Sequence, residues 1–415
     1  MTFLDFHLRG NYVSGRKIFR PYFWENQMNQ IKETISRKID RLAPKLYTVS
    51  EYLFNHPETA YQEYKSCGYL SQFLDTNGFD VETSVGGVDT AFFARPRNSA
   101  PVRPCVALLA EYDALPKIGH GCGHNLIAAA SIGAALTLKN ILKEESGGVV
   151  LVGTPAEEGG GGKVRLIDAG IFNDVDAAMM FHPSQSNLPG KGMLGRTKFK
   201  MAFHGRTAHA SGSPDKGINA LDALILTYNG INALRQHLRP DARVHGVITH
   251  GGDAPNIIPD YAEALFYVRA GSISYREDVF NRVVGCAKAA ASAMGATVEI
   301  EIDGPKIDAM HRNAALEKAF ADNMPLLEVA VDPDPGRMGS SDMGNLSHFL
   351  PVIHPYLAIV DDEIPSHSVG FRDATLTDRG KTTLLNAAKL LAMTAYDFLN
   401  SPELQKQARQ DFEKK

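Results

Sequence analysis

The sequence is poor in several features that would indicate particular classes of protein. Its 415 residues include one tryptophan and four scattered cysteines, Cys67, Cys105, Cys122 and Cys286, without a Cys-x-x-Cys pair, which excludes a disulfide framework and favours a reducing compartment. The longest apolar run, Leu126–Leu138, is shorter than the ~20 residues of a membrane span. A net charge of −4 provides no basic face for nucleic acid or anionic lipid. We therefore expect a cytoplasmic protein without a membrane or nucleic-acid partner.

The first 27 residues are aromatic and mildly basic. They lack the apolar core and the small-residue cleavage site of a signal peptide. We interpret residues 1–27 as an N-terminal extension that packs on the domain following it.

Two short apolar runs, Cys105–Leu115 and Gly147–Glu157, are bounded by glycine and proline. Such runs are typical of strands that are buried on both faces of a sheet. The segment Asn125–Lys143 between them has the composition of a buried helix. This strand–helix–strand order predicts an α/β domain with a mostly parallel sheet flanked by helices.

The pattern changes near Gly195. Alternating strands and two long helical stretches then follow in the order β-α-β-β-α-β, which is typical of a ferredoxin-like module. The second helix is predicted to begin with a capping box, Ser274-x-x-Glu277. Because α/β-type sequence resumes after Pro305, we predict that residues 196–305 are an inserted domain and that residues 1–195 and 306–415 together form the other domain.

The segment "GTPAEEGGGGK" contains four glycines and a lysine, but it does not fit a phosphate-binding loop. The Walker pattern requires glycine six residues before the lysine and serine or threonine after it, and these positions hold Glu157 and Val164. What remains is a pair of adjacent carboxylates, Glu157 and Glu158, at the end of a strand. One carboxylate can hold a metal while the other faces a water molecule, an arrangement suited to metal-assisted hydrolysis, although an exposed acidic turn is the alternative interpretation.

Other residues with metal-ligand chemistry are spread along the chain. Cys122 and His124 flank a glycine, His182 ends an apolar strand and His367 lies in a predicted loop. Thiolate, imidazole and carboxylate are together suited to Zn²⁺ or Mn²⁺. A structural zinc site would need a second cysteine near Cys122, and none is there. The predicted ligand set is Cys122, His124, Glu158, His182 and His367, with Glu157 free to act as a base.

The motifs "LLAEYDALPKIGHGCGHNL", "GTPAEEGGGGK", "MMFHP", "HGRTAHAS", "ITHGGDAPNIIPD" and "GSSDMGNLSHFLPVIHPY" occur in one order. Over roughly residues 30–400 the sequence resembles the two-metal amidohydrolase and exopeptidase family, which includes aminoacylase, carnosinase, the auxin-conjugate hydrolases and p-aminobenzoyl-glutamate hydrolase. The resemblance is strongest to its aminoacylase-one-like dipeptidase branch. It implies a catalytic domain with an inserted lid and dimerisation domain, two divalent metal ions per subunit and a homodimer.

The resemblance also implies roles for individual residues. Cys122, His124, Glu158, His182 and His367 match metal ligands, and Glu157 matches the general base. Other branches of the family have His-x-Asp where this chain has Glu111-Tyr112-Asp113. Asp113 is therefore expected to contact the metal ligands rather than the metal, and no role is assigned to Glu111. His209 matches a lid histidine that completes the partner subunit's active site. Asn256 and Arg269 match lid residues that bind the substrate's carboxylate.

The implied activity is hydrolysis of the amide bond of an N-acyl amino acid or dipeptide, a small molecule with a free carboxylate, releasing an amino acid. Two alternatives remain. Cys122 with His124 would make a cysteine-nucleophile amidohydrolase, and loss of activity on the same fold would leave a binding protein. The sequence does not identify the acyl group.

Overall fold

The computed structural model describes residues 20–143, 146–361 and 363–414, and the backbone alone for residues 20–27. Within these residues the strands are β1 (Phe79–Thr83), β2 (Phe92–Pro96), β3 (Cys105–Ala110), β4 (Gly148–Gly153), β5 (Ala177–Met179), β6 (His182–Ser184), β7 (Gly195–His204), β8 (Arg243–His250), β9 (Tyr261–Ala270), β10 (Thr297–Ile302), β11 (Val352–Ile353) and β12 (Tyr356–Ala358). The helices are α1 (Arg20–Asn55), α2 (Tyr64–Thr76), α3 (His124–Lys139), α4 (Gly162–Asp168), α5 (Ala220–Arg235), α6 (Ile273–Met294), α7 (Ala314–Asn323), α8 (Met343–Ser347), α9 (Val369–Ala374), α10 (Asp378–Asn400) and α11 (Pro402–Glu413).

The larger sheet has the strand order β1-β2-β4-β3-β5-β11. Strands β4, β3, β5 and β11 run parallel to one another, whereas β2 is antiparallel to β4 and β1 is antiparallel to β2. Every residue of β3 is buried, as is every residue of α3 up to Leu138. This burial on both sides explains the continuous apolar runs in the sequence, and the predicted α/β class with a mostly parallel sheet is confirmed.

The smaller sheet has the order β10-β7-β9-β8 and is antiparallel throughout. With α5 and α6 against it, the chain order is β-α-β-β-α-β, so the ferredoxin-like module is also confirmed. Its core contains Phe199, Met201, Phe203 and Phe266 and forms a hydrophobic cluster separate from that of the larger sheet. The boundaries proposed at residues 195 and 306 stay a prediction.

The start of α6 differs from the prediction. Helix α6 begins earlier than the predicted capping box requires: Ser272 is the N-cap, and its hydroxyl accepts from the backbone N–H of Tyr275. Ser274 lies inside the first turn, so the capping-box prediction is wrong.

The prediction of a packed N-terminal extension concerns residues 1–27 and lies outside the residues whose side chains are described. None of the described helices is both long and apolar enough to cross a bilayer.

Candidate active site and metal centre

The predicted metal ligands lie at the ends of elements of the larger domain. Cys122 and His124 are at the N-terminus of α3, which follows β3. Glu158 follows β4, and His182 begins β6. Because the carboxyl ends of parallel strands meet at one edge of a sheet, side chains that are distant in sequence converge there. His367 reaches the same place from the loop before α9.

Three overlapping groups of side-chain atoms form at this edge, each with its atoms within 4.8 Å of one another. The groups are Cys122, His124 and His182; Cys122, Glu158 and His367; and His124, Glu157 and Glu158. The structure thus brings together all five predicted ligands and the predicted base. One sulfur, three imidazoles and neighbouring carboxylates form a donor set that suits divalent zinc or manganese.

Asp113 fixes the orientation of His124. The Nδ1 of His124 donates toward the Asp113 carbonyl oxygen at 2.9 Å and its Oδ1 at 3.1 Å, and the second carboxylate oxygen accepts from the backbone N–H of Glu158 at 2.8 Å. This leaves His124 Nε2 directed at the ligand group. Both that nitrogen and Glu158 Oε1 are buried without a hydrogen-bond partner among the described residues. Buried polar atoms are rarely left unpaired, so the two atoms fit ligands that face a cation, with a carboxylate behind the histidine.

The pKa values of Glu157 and Cys122 are both raised, which suits a general base but not a cysteine nucleophile. Burial raises the pKa of Glu157 well above its usual range, and the carboxylates of Glu111, Glu158 and Asp342 add to the effect. A carboxyl group with a raised pKa is suited to taking and returning a proton near neutral pH. Burial, followed by the charge of Glu158, also raises the pKa of the Cys122 thiol well above its usual range. A nucleophilic cysteine needs the opposite shift, whereas a bound cation deprotonates a thiol directly.

The backbone before Glu157 is held in an unusual conformation. Ala156 has a φ of 61°, in the left-handed region that residues other than glycine rarely adopt. Its backbone N–H donates to Glu63 Oε1 at 2.9 Å, and this carboxylate oxygen also accepts from the backbone N–H of Tyr61. A Cβ on Gly162 would overlap the Pro155 carbonyl oxygen, which explains one of the four glycines that follow. The turn therefore has a fixed geometry that presents Glu157 and Glu158.

A buried ion network beside the ligands was not found from the sequence. Lys163 is fully buried, and its Nζ donates to Glu111 Oε1 at 2.5 Å and to Asp342 Oδ1 at 2.6 Å. Asp342 Oδ2 accepts from the backbone N–H of Lys163 at 2.9 Å. The other oxygen of Glu111 lies 3.4 Å from His124 Nε2 and has no hydrogen-bond partner within the described residues. The lysine that follows the four glycines thus supports the carboxylate wall of the site.

The residues predicted in the inserted domain are in a different environment. His209 and Asn256 are exposed and adjacent, since the Ala210 N–H donates to the Asn256 carbonyl. Nδ1 of His209 accepts from the N–H of Gly212 at 3.1 Å, so Nε2 carries the hydrogen and is a donor. Among the described residues, no hydrogen bond or ion pair connects His209 or Asn256 to the ligand group.

Arg269 faces the larger domain instead. Its Nη1 donates to Ser340 Oγ at 2.9 Å across the two domains. Its Nε is buried and makes no hydrogen bond within the described residues. The guanidinium therefore retains a free donor, as a carboxylate-binding residue would.

Comparison with known proteins identifies the family. Residues 192–294 match the model of a peptidase dimerisation domain. The Xaa-Arg dipeptidase of Mus musculus is 37% identical over 401 residues, which cover 93% of each chain. The chain belongs to the M20 peptidase family. One of the polypeptides of the p-aminobenzoyl-glutamate hydrolase of Escherichia coli is 35% identical over 297 residues, covering 66% of this chain and 61% of that polypeptide.

The fold agrees with that of other M20 proteins. A dinuclear metal-binding peptidase of the M20 family from Bacillus subtilis superposes with a TM-score of 0.66 at 21% identity, covering 87% of this chain and 99% of the other. Membership of the M20 family makes the protein a metallo-amidohydrolase or exopeptidase, an enzyme that cleaves amide bonds. The matching dimerisation domain also supports a homodimer. The predicted resemblance and enzyme class are thereby confirmed.

Proposed function

We propose that the protein hydrolyses the amide bond of a dipeptide or N-acyl amino acid and releases a free amino acid. In this proposal two divalent ions are bound by Cys122, His124, Glu158, His182 and His367. The observation that carries it is the pair of buried, unpartnered atoms His124 Nε2 and Glu158 Oε1 within a convergent donor set. These atoms fit cation ligands and make no hydrogen bond with a described residue.

The chemistry that two bound divalent ions supply at such a site is Lewis acidity, which lowers the pKa of water and polarises a carbonyl. Glu157 takes the proton of the attacking water and returns it to the nitrogen of the leaving amino acid. Its high pKa in the buried, acidic surroundings favours holding that proton between the two transfers. Asp113 keeps His124 in the tautomer whose Nε2 is free.

The leaving group is proposed to be an amino acid with a free carboxylate. We propose that Arg269, whose Nε makes no hydrogen bond with a described residue, binds this carboxylate together with Asn256. The relatives named above act on Xaa-Arg dipeptides and on p-aminobenzoyl-glutamate. Both names describe an amino acid in amide linkage. Dipeptides ending in arginine or lysine are the first substrates to test, followed by aromatic acyl-glutamates.

The proposed assembly is a two-fold dimer through the inserted domain. Strand β8 is at the edge of its sheet, and Val247 and Ile248 on it are 60% and 45% exposed. An exposed apolar edge strand of this length is a template for pairing with another chain. Pairing two copies of β8 gives an isologous interface. We propose that His209 of each subunit then donates from Nε2 to the carbonyl oxygen in the partner's site.

The experiment is a substrate panel on purified protein. Dipeptides and N-acyl amino acids are tested with added Zn²⁺, Mn²⁺ or Co²⁺, after chelation, and after alkylation with iodoacetamide. The proposal predicts metal-dependent turnover that chelation abolishes and that returning metal restores, with Cys122 protected from alkylation in the loaded protein. Turnover that survives chelation but not alkylation would favour the cysteine nucleophile. Binding without any turnover would favour a non-hydrolytic protein.

A further inference from the structure

The segment His354-Pro355-Tyr356 contributes a side chain to the metal-ligand side of the site. Strand β12 pairs in parallel with β6, and Tyr356 is the direct register partner of His182. Directly paired residues on neighbouring strands present their side chains to the same face. The two rings accordingly lie 5.8 Å apart, centroid to centroid. Tyr356 therefore stands beside a predicted ligand although it has no predicted role.

Its ring is held from two further directions. The Nζ of Lys191 lies 3.9 Å from the ring centroid, and the ring of His354 lies 4.9 Å away at a steep angle. Leu188 and Met193 complete a small apolar cluster around it. A ring packed in this way has little freedom to change its rotamer, so the position of its hydroxyl is fixed in advance.

The hydroxyl itself is unpaired. Tyr356 is only 7% exposed, and its hydroxyl makes no hydrogen bond to any described residue. The hydroxyl oxygen is not fully buried and retains some contact with solvent. A buried tyrosine normally satisfies its hydroxyl. The hydroxyl of this mostly buried residue is therefore available to a molecule bound beside it.

Carboxylates of the site act on the Tyr356 hydroxyl. Burial raises the pKa of Tyr356 well above its usual range, and the carboxylates of Glu157 and Glu111 are the charges that contribute most. Together with the register that pairs Tyr356 with His182, this places Tyr356 on the metal-ligand side of the site, where the scissile bond of the substrate would lie.

We propose that Tyr356 is a catalytic hydrogen-bond donor whose hydroxyl donates to the oxygen of the scissile carbonyl as negative charge develops there. The proposal rests on the proposed amide hydrolysis and adds a donor from the same chain to the His209 donor expected from the partner. No proton is transferred from Tyr356, which remains neutral throughout. Lys191 is a positioning residue, because it touches the ring and not the reacting atoms.

The test is Tyr356→Phe, which keeps the ring packing and removes only the hydroxyl. Loss of one preorganised donor to an oxyanion typically lowers kcat about 10²–10³-fold. We expect this loss on the best substrate of the parent enzyme, with KM within a few-fold and metal content unchanged. A tetrahedral phosphinate analogue of that substrate should lose affinity by a similar factor, whereas the product amino acid should bind as in the parent.

The matched control is Tyr69→Phe, because Tyr69 is a stacked tyrosine on α2 whose hydroxyl also lacks a hydrogen bond among the described residues. It should be parent-like. Parent-like kcat in Tyr356→Phe would overturn the assignment and leave the proposed function intact. A raised KM alone, or lost metal, would also overturn it, since the hydroxyl would then act in uniform binding or through His182. A parent enzyme that hydrolyses nothing in the panel would refute the proposed function, and this proposal with it.

Discussion

The two halves of the candidate site differ in how completely one chain assembles them. On the larger domain, side chains from five separate positions converge within a few ångströms: Cys122 and His124 are buried, Glu158 and His182 are partly buried, and His367 is exposed. On the inserted domain, His209 and Asn256 are exposed and make no hydrogen bond or ion pair with the ligand group among the described residues. A single subunit therefore brings the proposed metal ligands together, whereas the roles proposed for His209 and Asn256 require another surface to meet them.

The difference follows from the architecture of each half. Parallel strands β3 and β4 end at the same edge, so the residues after them are neighbours by topology. The inserted sheet is antiparallel, and its polar residues lie in loops at the surface, with β8 at the edge of the sheet. Exposed edges and loops acquire a defined environment only by pairing or closure. Substitutions in the two halves should therefore have different effects.

Glu157→Gln should abolish most turnover without affecting metal binding. Loss of a general base lowers the rate by about 10²–10⁴-fold, and the amide retains the size and most polar contacts of the carboxylate. Turnover and metal content, measured on the same preparation, check this prediction. A variant as active as the parent, or one purified without metal, would contradict the assignment of Glu157 as base.

Lys163→Met should destabilise the larger domain. It removes the only cation between Glu111 and Asp342 within the described network and leaves two buried carboxylates uncompensated. Breaking such a pair from one side costs about 3–5 kcal/mol. Urea unfolding measures the loss. Lys318→Met is the control, because its pair with Asp322 is exposed and should contribute about 0–1 kcal/mol. Equal stabilities of the two variants would contradict the importance of the buried network.

Asp113→Asn should weaken metal binding while the fold is retained. The carboxylate orients His124 and accepts from the Glu158 backbone, and loss of such a group behind a ligand costs about 10–100-fold in metal affinity. Competition with a chromogenic chelator gives the affinity, and circular dichroism reports the fold. Asp322→Asn is the exposed control. An unchanged affinity in Asp113→Asn would show that His124 keeps its orientation unaided.

Val247→Lys should weaken the dimer and leave metal binding unchanged. A charge on the exposed edge strand opposes pairing with another chain, and we expect the dimer dissociation constant to rise about tenfold, or ~1.4 kcal/mol. Sedimentation equilibrium provides the measurement. Val331→Lys is the control, since Val331 is 52% exposed elsewhere. Weakening by both variants alike would indicate a general effect of charge rather than an interface at β8.

The sequence predicted the features that depend on local periodicity or on a family motif. The alternating and helical patterns predicted both sheets, and the quoted motifs predicted which side chains would meet at the strand ends. The contact between Lys163 and Asp342 spans 179 residues, and no local pattern indicates it. Likewise, the position of Tyr356 beside His182 depends on the parallel register of two three-residue strands. The predicted cap Ser274 lies inside the first turn of α6, because Ser272 is the residue with extended backbone whose hydroxyl accepts from the Tyr275 N–H.

We propose that one chain supplies the metal ligands and the base while its partner supplies His209, and a mixed dimer distinguishes this arrangement from action within a single chain. His209→Ala and Glu157→Gln subunits, each expected to be nearly inactive alone, are co-expressed with different tags and the heterodimer is purified. If His209 acts in the partner's site, one site carries both defects and the other neither, so activity should return to about half the parent level. A heterodimer as inactive as the two homodimers would show that His209 does not act in the partner's site.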